Sequence, residues 1–295
     1  MAHILRVIPY AGWNNCIHLT NTVCEAVITT DVGPRIVRYG KVGGPNLLHV
    51  DEFAAGQTEE TKTWRAYAGH SFDAFIDGDI FLPPENTPVG YTLGADRIDF
   101  DPVQFDGVSK TISIRMCRRG GLEIKETITN TGDAPISVTV QGNTLLPSGG
   151  IAATPLTAAP VKGGDRPELK QGETLALIEP DQVYPSEFEV AGLADELWCG
   201  YFHQGQLFIM TSPAVEGEYK DGVNVSFSAN PRRVKISSHS PQVTLAPGES
   251  VTLTEVWNVF DQLPRPKNEE EAVEELRNNK FYYEFKKMPV RGIDY

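Results

Sequence analysis

The chain has 295 residues, with 26 Lys plus Arg against 39 Asp plus Glu, a formal net charge of −13. That balance repels phosphate backbones and anionic lipid and so excludes nucleic acid as an expected partner, leaving neutral or cationic ligands, or plain dispersal in solvent, as its meaning. No run reaches the 18 apolar residues of a membrane span, and the first 15 residues are too polar for a signal peptide. A cytoplasmic protein with no membrane partner is expected. Cys16, Cys24, Cys117 and Cys199 are scattered without a C-x-x-C pair, so they read as reduced core residues, and no metal and no cofactor is expected.

In chain order the elements are almost all strands. Candidates lie at 23–29, 35–39, 98–105, 110–117, 122–129, 136–140, 175–178, 207–210, 224–227, 234–237 and 251–260. Alternation is clearest at 110–117, where Ile112, Ile114 and Met116 share one face and Thr111, Ser113 and Arg115 the other. The 122–129 run, followed by Asn130, Thr131, Gly132 and Asp133 and then by Ile136, Val138 and Val140 in phase, reads as a hairpin. Pro247 then Gly248 sit where a type II turn places them. One helix is expected near the end: Asn268 caps it, Glu269, Glu270 and Glu271 suit its positive end, and Ala272, Val273 and Leu276 form its apolar face. Long Gly-, Pro-, Asp- and Thr-rich loops at 53–63, 77–94 and 154–172 are where a site would be built. No repeat of 20–50 residues is visible, which disfavours a propeller or solenoid.

Four segments carry a resemblance: 29–36 (TTDVGPRI), 64–72 (WRAYAGHSF), 81–89 (FLPPENTPV) and 245–260 (LAPGESVTLTEVWNVF). Together they are similar to the galactose-mutarotase-like (aldose 1-epimerase-like) superfamily, over most of the chain up to about residue 260. The resemblance implies an all-β fold, a large antiparallel two-sheet supersandwich with a sugar-sized cleft on one sheet. The expected organisation is that sandwich over 1–265, with a short C-terminal helix and tail, 266–295, packed on it. In aldose 1-epimerases a histidine acid and a glutamate base interconvert anomers. Here Ser226 falls where that glutamate is expected, and the 136–146 strand offers Gln141 and Asn143 where the acid histidine is expected.

For chemistry, His70 has the near-neutral pKa of a proton-transfer group, although a structural histidine is as plausible a reading. Glu85 is its expected partner from a second loop, and Glu126, in phase with Leu122, Ile124 and Ile128, is a carboxyl on an apolar face with a raised pKa. Glu255 shows the same pattern. Expected substrate-binding residues are Arg35, Trp64, Arg65, Tyr67, Asn143 and His239, against which stand ion pairing for the arginines and core packing for the aromatics. Asp73, Asp77 and Asp79 lack calcium-loop spacing and read as solvated acids. The partner implied is a sugar or sugar derivative. Three functions stay open: a sugar-active epimerase- or lyase-like enzyme, a carbohydrate-binding sandwich without turnover, and a structural sandwich. The oligomeric state is not encoded in these patterns.

Overall fold

A computed structural model describes residues 4–58, 67–81, 83, 85–117, 121–156, 160–180, 187–194, 196–213 and 215–278. Trp64 and Arg65 lie outside them. Two eleven-stranded antiparallel sheets face each other. The first runs in space through the strands Ile4–Tyr10, Trp13–Thr20, Cys24–Thr29, Arg35–Lys41, His70–Ile76, Ile136–Pro147, Arg233–His239, Val225–Asn230 and Phe188–Gly192. The second is centred on Trp198–His203, Gln206–Thr211, Ser250–Asp261, Leu122–Asn130 and Val108–Met116. This is the all-β two-sheet architecture that the resemblance implies.

The period-two pattern decides what each face meets. In the first sheet Phe72, Ala74, Val138, Val140, Ile236 and Phe227 point inward, and from the second come Ile112, Ile114, Ile124, Ile128, Leu253 and Trp257, closing one apolar core between the layers. All four cysteines lie buried, and burial lifts the thiol pKa of Cys24 to about 12 and of Cys117 to about 11.

One connection differs from the sequence reading. The strands Leu122–Asn130 and Ile136–Pro147 are not a hairpin: the former pairs with Val108–Met116 and Ser250–Asp261, the latter with His70–Ile76 and Arg233–His239. The turn carries the chain from one sheet to the other. Asn130 holds that crossing, donating from Nδ2 to the Ala134 and Leu245 carbonyls and accepting from the Gly132 amide. Turn residues signal a reversal, but they do not state which sheet receives the next strand.

The Glu269–Asn278 helix is capped by Asn268, whose Oδ1 accepts from the Glu271 amide at 2.9 Å. It lays Ala272 and Leu276 on Trp198, Phe202, Leu207 and Ile209, covering the far side of the second sheet. Gly248, at φ 86°, supplies the positive φ of the turn before the Ser250–Asp261 strand. No helix among the described residues is long and apolar enough to cross a membrane.

Candidate functional site

The central strands of the first sheet have two chemically different faces. Pairing register places Ser71, Asn143, Ser237 and Ser226 in one row across four strands, and Asp73, Gln141 and His239 in the next. These residues are out of phase with Phe72, Val140 and Ile236, so they line the outer face, away from the second sheet. His70, Thr144 and Ser238 are in phase with the apolar set and point between the sheets.

His70 is therefore corrected: it is not in an open hollow. It is 0% exposed, with Nε2 2.6 Å from Glu126 Oε1 and Nδ1 3.0 Å from Thr144 Oγ1, its ring edge-on to Trp257 at 4.8 Å. Burial pushes the Glu126 carboxyl well above its usual range and holds the imidazole below its own. Both shifts favour the neutral forms of this pair. Glu255 lies alongside, its carboxyl also raised by burial, accepting from the Ser238 hydroxyl and, at 2.8 Å, from the Trp257 indole N–H.

Gly142 makes this cluster possible. A Cβ there would sit 2.9 Å from Glu126 Oε2 and closer still to Glu255 Oε1, so the absence of a side chain is what leaves room for two carboxyls between the sheets. His70 and Glu126 thus form a fully buried pair that links the two layers.

Glu85 does not face His70 either. It is buried on the loop after the Asp79–Phe81 strand, where Oε1 lies 2.9 Å from Lys110 Nζ and Oε2 3.7 Å from an Arg35 nitrogen. Lys110 comes from the second sheet and ends at the open edge of the His70–Ile76 strand, whose pairing with Arg35–Lys41 is limited to His70 with Ile36. There its ammonium donates to the Phe72 carbonyl at 2.5 Å and lies 3.7 Å from Asp73 Oδ1. Asp73 Oδ2 accepts from Asn143 Nδ2 at 3.0 Å, and Asn143 Oδ1 accepts from Ser237 Oγ at 2.8 Å.

The result is one polar line, Arg35, Glu85, Lys110, Asp73, Asn143, Ser237, running onto the outer face. It contains buried groups that nothing described completes. Arg35 is 1% exposed, lies 5.3 Å from the Tyr67 ring centroid, and has no hydrogen-bond partner at Nε or at one terminal nitrogen. Asp73 Oδ1 and Thr139 Oγ1, both on this face, are likewise uncompleted. Tyr67 is core, donating to Asn86 at 2.8 Å. Burial raises the Asp73 carboxyl above its ordinary range, with Lys110 opposing.

His239 flanks Gln141 on the same face. Burial takes its imidazole down to about 4, so it is neutral at pH 7. Its Nε2 lies 3.5 Å from the Gln141 amide nitrogen and 3.3 Å from Ser226 Oγ, and Phe75 stacks on the ring at 6.4 Å. The amide donor fixes Nε2 as acceptor and leaves the proton on Nδ1. Among the described residues no group of three or more His, Cys, Asp or Glu side chains is disposed to hold a metal.

Sequence reasoning singled out Arg35, Asn143 and His239 but gave Asp73 to a solvated acidic loop and passed over Lys110. The signal for Asp73 was present: in HSFDAFI, Asp73 alternates with Ser71, while His70 alternates with Phe72 and Ala74. Lys110 carried a signal of the same kind, being in phase with Ile112, Ile114 and Met116 at the start of its strand.

No protein-family model matches the chain, and no curated protein matches it. Solved structures do match. Slr1438 from Synechocystis sp. PCC 6803 is 12% identical, with a TM-score of 0.62 over 88% of this chain and 100% of that one. A galactose mutarotase related enzyme from Lactobacillus acidophilus is 9% identical, with a TM-score of 0.56 over 86% and 100%. A candidate aldose 1-epimerase from Escherichia coli K12 is 11% identical, with a TM-score of 0.54 over 84% and 99%. At these identities the likeness establishes the fold, which is galactose-mutarotase-like.

Proposed function

We propose that the chain binds a sugar on the outer face of the first sheet and moves a proton there between Asp73 and the bound sugar. One observation carries this reading: buried, uncompleted donors on Arg35 and an uncompleted acceptor on Asp73 belong to one polar line across that face. An unsatisfied buried polar group costs about 1–3 kcal/mol. A polyol, which offers hydroxyls as both donors and acceptors, complements such a set. The fold is compatible with this, since the mutarotase-related structures it resembles include sugar-named enzymes, although fold alone assigns no activity.

Asp73 suits the work of a base. Its carboxyl is raised by burial, which brings it nearer to neutrality and makes the carboxylate a better proton acceptor. His239 contributes a neutral imidazole whose Nδ1–H is a hydrogen-bond donor to a sugar oxygen, and it does not titrate between pH 5 and 8. The reaction that fits is proton transfer at a sugar hydroxyl, as in anomer interconversion.

A second reading, sugar binding without turnover, is favoured by Ser226, which puts no carboxylate on the Val225–Asn230 strand beside His239. Magnetisation-exchange NMR on D-galactose and D-glucose separates the two. Catalysis predicts faster anomer exchange with wild type, lowered about 10²–10⁴-fold in Asp73→Asn, and a rate that climbs with pH through a value above the ordinary aspartate range. Saturable binding with no exchange selects the binder. Absence of binding by a broad sugar panel at millimolar concentration contradicts both.

A further inference from the structure

Further along the same face, one repeat beyond the Ser71, Asn143, Ser237 and Ser226 row, lies the row Leu145, Lys235, Ser228 and Glu189. A cavity of about 440 Å³ opens there, lined by Leu145, Glu187, Ser228, Asn230, Arg233 and Lys235. In a chain of net charge −13, two cations in one cavity are a local inversion of sign.

Neither cation has an ion-pair partner among the described residues. The nearest-row carboxylate, Glu189, is taken by Lys162, and Glu187 is exposed. Arg232, next in sequence, is a third cation in this region and lies 5.5 Å from the ring centroid of the exposed Phe53, while His49 is held below the ordinary imidazole range by burial and then by Arg233 and adds no charge there. Burial lowers the Lys235 ammonium, and the carboxylates of Asp73 and Glu189 oppose that shift.

We propose that this cavity is an anion subsite, in which Lys235 and Arg233 bind the phosphate or carboxylate of a negatively charged sugar whose ring lies over Asn143, Ser237 and His239. The inference rests on the sugar-binding reading above and adds to it the charge class of the ligand. Strand spacing supports the fit. Lys235 lies about 6.6 Å along its strand from Ser237 and about 13 Å from His239, so a charged group projecting from a sugar on the polar rows comes within reach of two long cationic side chains. An arginine fork and a lysine ammonium together suit an oxyanion, and both are stronger where water is partly excluded.

Calorimetric titration of the full chain with D-galactose, D-glucuronate and D-glucose 6-phosphate at fixed ionic strength tests it. Expected is at least tenfold tighter binding of one or both charged sugars than of galactose. The affinity ratio should fall to near one in Lys235→Gln and in Arg233→Gln, and stay as in wild type in Lys267→Gln, a surface control on the approach to the C-terminal helix. Which charged sugar binds more tightly tells phosphate from carboxylate. Galactose binding as tightly as both charged sugars, or a ratio unchanged in both cavity variants, overturns the anion subsite while leaving the outer-face reading standing. No binding of any of the three overturns both. Far-ultraviolet circular dichroism of each variant confirms that the ratio is read on folded protein.

Discussion

Glu126 and Glu255 are two carboxyls placed between apolar layers, where burial raises the pKa of both. Their folded values lie above the unfolded ones, so the stability they contribute is fully present below about pH 4.3 and is lost as pH rises toward the folded values. His70 works the other way. Its depressed pKa gives a contribution complete above about pH 6.5 and lost in acid. Glu126→Gln keeps a donor toward His70 Nε2 without a titrating proton. Its stability relative to wild type should therefore grow between pH 5 and pH 8, by up to about 1.4 kcal/mol per pH unit. Urea unfolding at the two pH values reads this directly, and a difference that does not change with pH would show that Glu126 is ionised in the folded chain.

At the scale of elements, the tight place is the middle of the Ile136–Pro147 strand. Gly142→Ala drives a methyl into the two carboxyls, and overpacking of this kind costs about 1–3 kcal/mol; a variant as stable as wild type in urea would mean that the inter-sheet cluster has slack. On the far side of the sandwich, Leu276→Ala in the C-terminal helix removes a fully buried side chain from the Trp198, Phe202 and Leu207 cluster and should cost about 2–5 kcal/mol, checked by the same unfolding curve. Much at this scale was legible in sequence. The strand expected at 110–117 is Val108–Met116, that at 122–129 is Leu122–Asn130, and the helix begins after its expected cap. Sheet membership was not legible, because alternation fixes which side chains share a face but not which face meets the other layer. The same limit bears on His70. His70 drew attention by its chemistry, yet its parity with Phe72 and Ala74 commits it to the interior, whereas Asp73, one step out of phase, takes the outward position.

For the molecule as a whole, the two layers divide the labour. The space between them holds the buried cluster of His70, Glu126 and Glu255, and the outer face of the first sheet holds the polar rows of Asp73, Gln141, His239, Asn143 and Ser237. The acidic surface keeps anions away in general, so two cations beside the polar rows with no ion-pair partner among the described residues mark a specific exception. The ligand position is the claim on which the rest depends, and it is read most directly by backbone amide NMR during titration with galactose and glucose 6-phosphate. The shifts are expected to concentrate at residues 71–73, 141–143 and 235–239, with 225–228 alongside. Shifts centred on another surface, or none at millimolar sugar, would contradict it.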